Sequence, residues 1–379
     1  LCCRFSRQAL LFVVLIAASR STSSLVSIPL TKLERTGSYL RGSPHADRAR
    51  ASFLKTRTTG GSTTVPASNL AYVQYTTSVG IGSPATYYNL AIDTGSSNTF
   101  IGTGKKYVRT STSVPTGQQV NVTYGLGSFT GVEYSDTVTL APDLVIANQS
   151  IGDALQYADF EGIDGLIGVG PVDLTHHSLS PDTNALIPTI MNNALKQGLI
   201  RKQILDGAIT YGGIDHALYT DKITYAPVTE THPAGHYWGI NVTESTYGTH
   251  AVIPQSTAGI VDTGTTLVLL ADDFFATYID AIPGAYLDNN LGGLLVIPSS
   301  SVADMQPLNF KIGGAVFSMD TAAQLIPLNQ SSSWGYAGVQ YGTVSNIGHD
   351  SGKGFDFIIG MNNRVGFAYT KHTFSTYSP

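Results

Sequence analysis

An almost entirely β fold in two related lobes is what this chain predicts, and three observations carry the prediction. The 379 residues are rich in Gly, Ser, Thr, Tyr and Val and poor in charge, a balance that favours strands and tight turns over helix bundles. From Tyr72 onward short runs of β-branched and aromatic residues are punctuated by Gly, Pro and Asn. Finally, AIDTGSSN (91–98) returns in altered form as IVDTGTTL (260–267). Each copy is followed downstream by an apolar pair and a glycine, GLIG (165–168) and FIIG (357–360). Two copies so far apart indicate duplicated lobes, not a short-period solenoid.

The elements follow in chain order. Arg4 and Arg7 precede the apolar run Ala9–Ala18 and then small residues, the order of a secretory signal peptide over 1–20. The run is short for a bilayer span, and no other stretch reaches spanning length. Residues 1–61 hold ten Lys/Arg against Glu34 and Asp47, net +8; the remainder holds eleven against 24 acids, net −13. A basic segment before an acidic body suggests mutual attraction, and 21–62 is expected to be a cleavable propeptide. Within it SIPLTKLER (27–35) reads as a short ordered element and 58–64 as an exposed linker. The basic residues are not clustered with aromatics, which argues against nucleic acid.

Strands are expected over 72–82, 86–93, 119–125 and 131–140, and a helix over TNALIPTIMNNALKQG (183–198). The lobes are expected over 63–218 and 219–379. Cys2 and Cys3 are the only cysteines, so the body has no disulfide, thiolate zinc site or thiol nucleophile. His232 and His236 are four apart, but Pro233 and Gly235 between them disfavour a zinc-binding helical face. His176 and His177 read as loop residues, and no Gly-x-Ser-x-Gly elbow with placeable partners is found. Neither metal nor cofactor is expected. Four sequons, at Asn121, Asn148, Asn241 and Asn329, fit a secretory glycoprotein.

Asp-Thr-Gly after an apolar run places a carboxylate where the chain leaves a strand, with a glycine that lets the backbone pass a partner closely. A single copy commonly serves only as a turn. Two copies in symmetric contexts would bring Asp93 and Asp262 together across the lobe interface. Like charges at that distance cannot both ionise readily, so the pair would share a proton. One member could then take a proton from water while the other polarises an amide carbonyl.

Between about Tyr72 and Ala368 the chain resembles the pepsin-like aspartic peptidases, most nearly their fungal, cysteine-free polyporopepsin-like type. The resemblance rests on GIGSPATYYNLAIDTGSSNTF, VTYGLGSFTG, DGLIGVGP, YGGID, YWGI, STAGIVDTGTTL and NRVGFA. It implies a bilobal fold with a central cleft for an extended peptide, and hydrolysis of internal peptide bonds at acidic pH. It implies a secreted, monomeric zymogen, with the vacuole as the alternative destination. It assigns Asp93 and Asp262 as the dyad, with Thr94, Gly95, Ser96, Thr263, Gly264 and Thr265 in support. Tyr124 and Gly125 fall on the flap over substrate, and Ile163 and Leu166 on a substrate pocket or in plain core packing.

The chain departs from the family in three places. Phe100 stands where the family commonly has Trp, removing an N–H that could support the flap tyrosine. After Leu205, and again after Gly360, a strand's length is missing, roughly 5–6 residues or more. Those losses have two readings: a gene sequence assembled without two strands that the real product carries, or a degenerate, catalytically silent pepsin-like protein that binds peptides.

Overall fold

The computed structural model describes residues 40–57, 75–124, 127–200 and 224–360, with the short strands Val13–Val14, Val26–Pro29, Thr31–Lys32, Gln203–Leu205 and Ala208–Tyr211. Among these residues strands dominate, as the sequence predicts. Thr86–Asp93 forms over the predicted range, Tyr75–Ile81 and Ser128–Ala141 within a few residues of theirs, and the third strand runs earlier, Val114–Thr123. The predicted helix over 183–198 is only Ile190–Lys196. Thr189 caps it by accepting from Asn192 N, and Gly198 adopts φ +69° just beyond it. Pro188 fixes the preceding backbone outside the helix.

The N-terminal lobe is built on a nine-stranded sheet. At its centre Gly165–Gly168 lies parallel to Thr86–Asp93, with Gly168 beside Asp93, and antiparallel to Thr99–Ile101. The C-terminal lobe repeats this. Phe357–Gly360 runs parallel to Thr257–Asp262, with Gly360 beside Asp262, and antiparallel to Val268–Leu270. The downstream apolar-pair-and-glycine motif is therefore the strand flanking each Asp-Thr-Gly strand. Its glycine is required by close approach. A Cβ on Gly168 would stand 2.4 Å from the Ser97 backbone, and one on Gly360 2.2 Å from the Leu267 carbonyl. These strands are buried on both faces, which is why they read as continuous apolar runs.

The segment before the body is partly ordered against it. Thr31–Lys32 extends the nine-stranded sheet by pairing with Tyr75 and Thr76. Val26–Pro29 pairs with Ala208–Tyr211, which in turn pairs with Gln203–Leu205. At the first shortened position, then, two strands joined through Asp206 and Gly207 form a sheet with a strand from the basic segment. The second shortened position, NRVGFA, the linker 58–64 and Gly125 lie outside the described residues, as does most of the leader.

Sequence reading alone gave no helix before residue 183, yet Ser43–Arg57 is a 15-residue helix. Its buried stripe is Ser43, Ala46, Asp47, Arg50, Ala51 and Leu54, spaced three and four apart as one helical face requires. Half of that stripe is polar or charged, so hydrophobic periodicity could not disclose it. Leu40, Ala51 and Leu54 join a C-terminal-lobe core with Tyr237, Leu291, Trp334, Tyr341 and Phe355. Burying Leu54 alone is worth about 2 kcal/mol, and Tyr237 Oη adds a 2.7 Å bond to the Leu54 carbonyl.

Candidate active site

Asp93 and Asp262 end their strands and face each other beneath the lobe interface, both buried. Their closeness is measured by the loops that follow. A Cβ on Gly95 would lie 2.5 Å from Asp262 Oδ1, and one on Gly264 2.8 Å from Asp93 Oδ1. Each carboxylate is fixed in the same way from its own lobe. Asp93 Oδ1 accepts from Gly95 N at 2.9 Å and Oδ2 from Ser96 Oγ at 2.6 Å. Asp262 Oδ1 accepts from Gly264 N at 3.0 Å and Oδ2 from Thr265 Oγ1 at 2.5 Å.

Thr94 and Thr263 tie the lobes together reciprocally. Thr94 N donates to Thr263 Oγ1 at 3.0 Å, and Thr263 N to Thr94 Oγ1 at 2.9 Å. Each hydroxyl then donates across the interface, Thr94 to the Val261 carbonyl at 3.1 Å and Thr263 to that of Ile92 at 3.0 Å. Because the pattern is closed, moving one aspartate without the other breaks several bonds at once.

Sequence reading missed Arg50, whose guanidinium bonds both members of the pair. Its guanidinium, from the helix Ser43–Arg57, donates from Nε to Asp262 Oδ2 at 2.6 Å and from Nη2 to both Asp262 Oδ1 and Asp93 Oδ1 at 2.8 Å. The available signal was weak: one more Arg in a basic segment. Its neighbour Asp47 accepts from Thr266 N at 3.0 Å and Leu267 N at 2.8 Å, the amides just past Asp262's loop.

The two aspartates titrate apart. Burial pushes Asp93 up, and repulsion from Asp262 adds to that, against a smaller opposing pull from Arg50, Ser96 and Gly95. Burial acts upward on Asp262 too, but the charge and hydrogen bonds of Arg50, with Thr265 and Gly264, outweigh it and hold it below the ordinary range. The physical reason is contact: Arg50 makes two bonds to Asp262 and one to Asp93. When the pair takes up one proton, these opposite directions favour Asp93 as its carrier.

A cavity beside the pair is lined by Arg50, Asp93, Gly264, Tyr124, Phe160 and Leu166. Tyr124 follows Val114–Thr123, its N donating to the Gly127 carbonyl at 2.9 Å. Its ring lies 5.9 Å from Phe100 and 5.6 Å from Phe160 between centroids. Leu166 thus reaches the cavity, while Ile163 packs in the apolar cluster behind it with Phe100 and Phe129. His232 and His236 pack edge-to-face around a short turn, Ala234–His236, and His176 packs against His177 in the loop before Leu179. Asn121, Asn148, Asn241 and Asn329 are all exposed. No described helix is long and apolar enough to cross a membrane.

Comparison with known proteins shows the family. The family model "Eukaryotic aspartyl protease" matches residues 74–347. Polyporopepsin of Irpex lacteus is 47% identical over 339 positions, covering 82% of this chain and 98% of that protein. Those positions outnumber the residues this chain contributes, so it carries deletions relative to polyporopepsin. Gastricsin of Cavia porcellus is 27% identical, covering 83% and 86% of the two chains. The crystal structure of an aspartic proteinase from Irpex lacteus superposes with a TM-score of 0.75 and 39% identity, covering 94% of this chain and all of that one.

Proposed function

The chain belongs to the eukaryotic aspartyl protease family and is an aspartic endopeptidase, and on that premise we propose that Asp93 and Asp262 hydrolyse the peptide bond together, in acid, after a basic propeptide leaves the cleft. The observation that carries this reading is the closed, reciprocal arrangement around two carboxylates that end equivalent strands.

With the cleft free, the ionised carboxylate takes a proton from water as the oxygen bonds to the amide carbon. The protonated carboxyl donates to the carbonyl oxygen, giving a tetrahedral diol. Collapse breaks the C–N bond, the nitrogen takes a proton from the dyad, and acid and amine products separate. No step requires a cofactor. Ser96, Thr265 and the two glycine amides keep the carboxylates aimed. Tyr124, on an aromatic base beside the cavity, is placed to close over an extended peptide.

In the described form Arg50 occupies the place where water and substrate would meet the pair, so this form is latent. Its pH dependence has a definite sign. Asp262, depressed when docked, stabilises docking above the ordinary aspartate range and stops doing so as pH falls through its lowered value. Asp47, carried by the helix and pushed up to about 7 by burial, acts oppositely, and its protonation favours docking. Release in acid therefore rests on protonating Asp262. Secretion through the leader, glycans on the exposed sequons and a monomeric enzyme complete the proposal.

The test is conversion and peptide cleavage by the full chain at acidic and neutral pH, with a statine-type inhibitor and the variants Asp93→Asn and Asp262→Asn. Acid-dependent cleavage lost with the inhibitor, and reduced about 10³-fold or more by either variant, is expected. Folded protein that binds the inhibitor but never cleaves would favour the silent peptide binder, the reading that the chain's deletions keep alive.

A further inference from the structure

The propeptide helix places a second arginine in a site of its own. Arg48 enters a crevice of the C-terminal lobe between the turn at Gly292 and Gly293 and the loop from Asn346 to Gly348. Its Nη2 donates to the Gly292 carbonyl at 2.6 Å and its Nη1 to Asn346 Oδ1 at 3.0 Å. Behind Asn346 stands a carboxylate: Asp272 Oδ1 accepts from Asn346 Nδ2 at 3.3 Å and from Gly348 N at 2.8 Å. Asp272 thus fixes the amide with its oxygen toward the guanidinium and adds negative charge behind it. The walls are glycine. A Cβ on Gly348 would lie 3.3 Å from Arg48 Cδ, and one on Gly293 3.4 Å from Nη2. The crevice is shaped for a flat fork with one acceptor on each tine, a geometry an ammonium cannot match.

None of the acceptors belongs to the helix. Gly292, Asn346 and Asp272 all come from the body and remain when the helix departs. Arg48 leaves the same helix two residues before Arg50, about 200° round it, so the crevice lies to one side of the aspartates, on the C-terminal lobe that also carries Asp262. An extended peptide advances about 3.3 Å per residue, so side chains up to four residues from the cut bond sample roughly 13 Å of the body on either side of it.

We propose that this crevice is a guanidinium subsite, filled by Arg48 in the latent chain and by an arginine side chain of the peptide substrate once the helix has left. The proposal rests on the peptidase reading above and adds a substrate class to it: peptides with arginine at one fixed position near the cut. Lysine would serve less well, since it can satisfy only one of the two acceptors in line.

The experiment uses the full chain after acid conversion. Peptides sharing one cleavable core carry Arg, Lys or norleucine at each of four positions on either side of the bond, and kcat/KM is compared within each trio. One position should show an Arg-to-norleucine ratio of about tenfold, with Lys between, as expected for a charged hydrogen-bonded pair. Asn346→Leu should reduce that ratio to near one, and Asn346→Asp should raise it, each ratio being internal to its own variant. Cleavage with no such position, or a ratio indifferent to both variants, overturns the subsite, leaves the peptidase reading intact and makes Arg48 a helix anchor only. If nothing is cleaved, the peptidase reading fails, and the same sample decides the subsite through binding of two labelled statine peptides that differ only in Arg or norleucine. Tighter binding of the Arg peptide upholds it; equal or absent binding overturns it.

Discussion

The two lobes present the same loop to the interface and meet different surroundings there. Asp93-Thr94-Gly95-Ser96 is buried throughout, roofed by Tyr124 and Phe160. Asp262-Thr263-Gly264-Thr265 has Thr263 and Gly264 half-exposed and takes the larger share of the helix: two bonds from Arg50, with Asp47 on the next amides. Duplication supplies a symmetric pair. An unduplicated helix makes the pair unequal, giving Asp262 two bonds from Arg50 and Asp93 one, so that Asp262 is held down and Asp93 up. Symmetry thus accounts for how the carboxylates are held, and asymmetry for how the helix engages them.

Removing the asymmetric element should have the largest effect. Arg50→Ala leaves two buried carboxylates with no counter-charge, and loss of one partner of a buried ion pair costs about 3–5 kcal/mol. Docking should weaken, and conversion at fixed acid pH should accelerate about a hundredfold or more, followed by the appearance of the shortened chain on a gel. Arg50→Lys should lie between, keeping the charge and losing the fork. Equal rates for all three chains would mean that latency lies in the apolar face of the helix and not in its charge.

The symmetric element gives a smaller, matched pair of effects. Thr94→Val and Thr263→Val each strand a donor and an acceptor across the interface, and each should cost about 1–3 kcal/mol in thermal or denaturant unfolding. The two hydroxyls share no bond, so their combination should cost about the sum, and any excess or shortfall measures coupling between them through the interface. Unequal single effects would locate a mechanical asymmetry beside the electrostatic one.

A titration away from the interface has the least effect at acidic pH and sharpens the contrast between lobes. Glu133 is buried in the N-terminal lobe, accepts a 2.5 Å bond from Ser150 Oγ, and is pushed up to about 7 by burial. Its raised value means the lobe is favoured with Glu133 protonated, and that stability is lost as pH rises through about 7. Glu133→Gln should flatten the fall in melting temperature between pH 5 and 8, with an upper bound of about 3 kcal/mol at pH 8. An unchanged pH profile would show that the carboxylate finds another partner when ionised.

Much of this was legible in the chain itself. The Asp-Thr-Gly copies and their trailing apolar-glycine strands announce the duplication because backbone crowding at Gly168 and Gly360 tolerates no side chain, whatever surrounds it. Strands such as Thr86–Asp93 were legible because alternation and β-branching mark them locally. Ile190–Lys196 was overextended because apolar spacing continues through Pro188, where the backbone cannot. The helix Ser43–Arg57 was hidden because its inward face holds Asp47 and Arg50, whose burial makes sense only against partners 43 to 220 residues away.

The sequence by itself determined the family, the two lobes and the identity of the paired aspartates, since those depend on short motifs whose backbone geometry is dictated locally. Only the tertiary structure decided which aspartate Arg50 binds more fully, that Arg50 stands between them, and that Arg48 lies in a crevice of its own. Those facts are differences in distance and burial between groups far apart in the chain, and electrostatic interaction in a buried site is set by such distances and not by the order of residues.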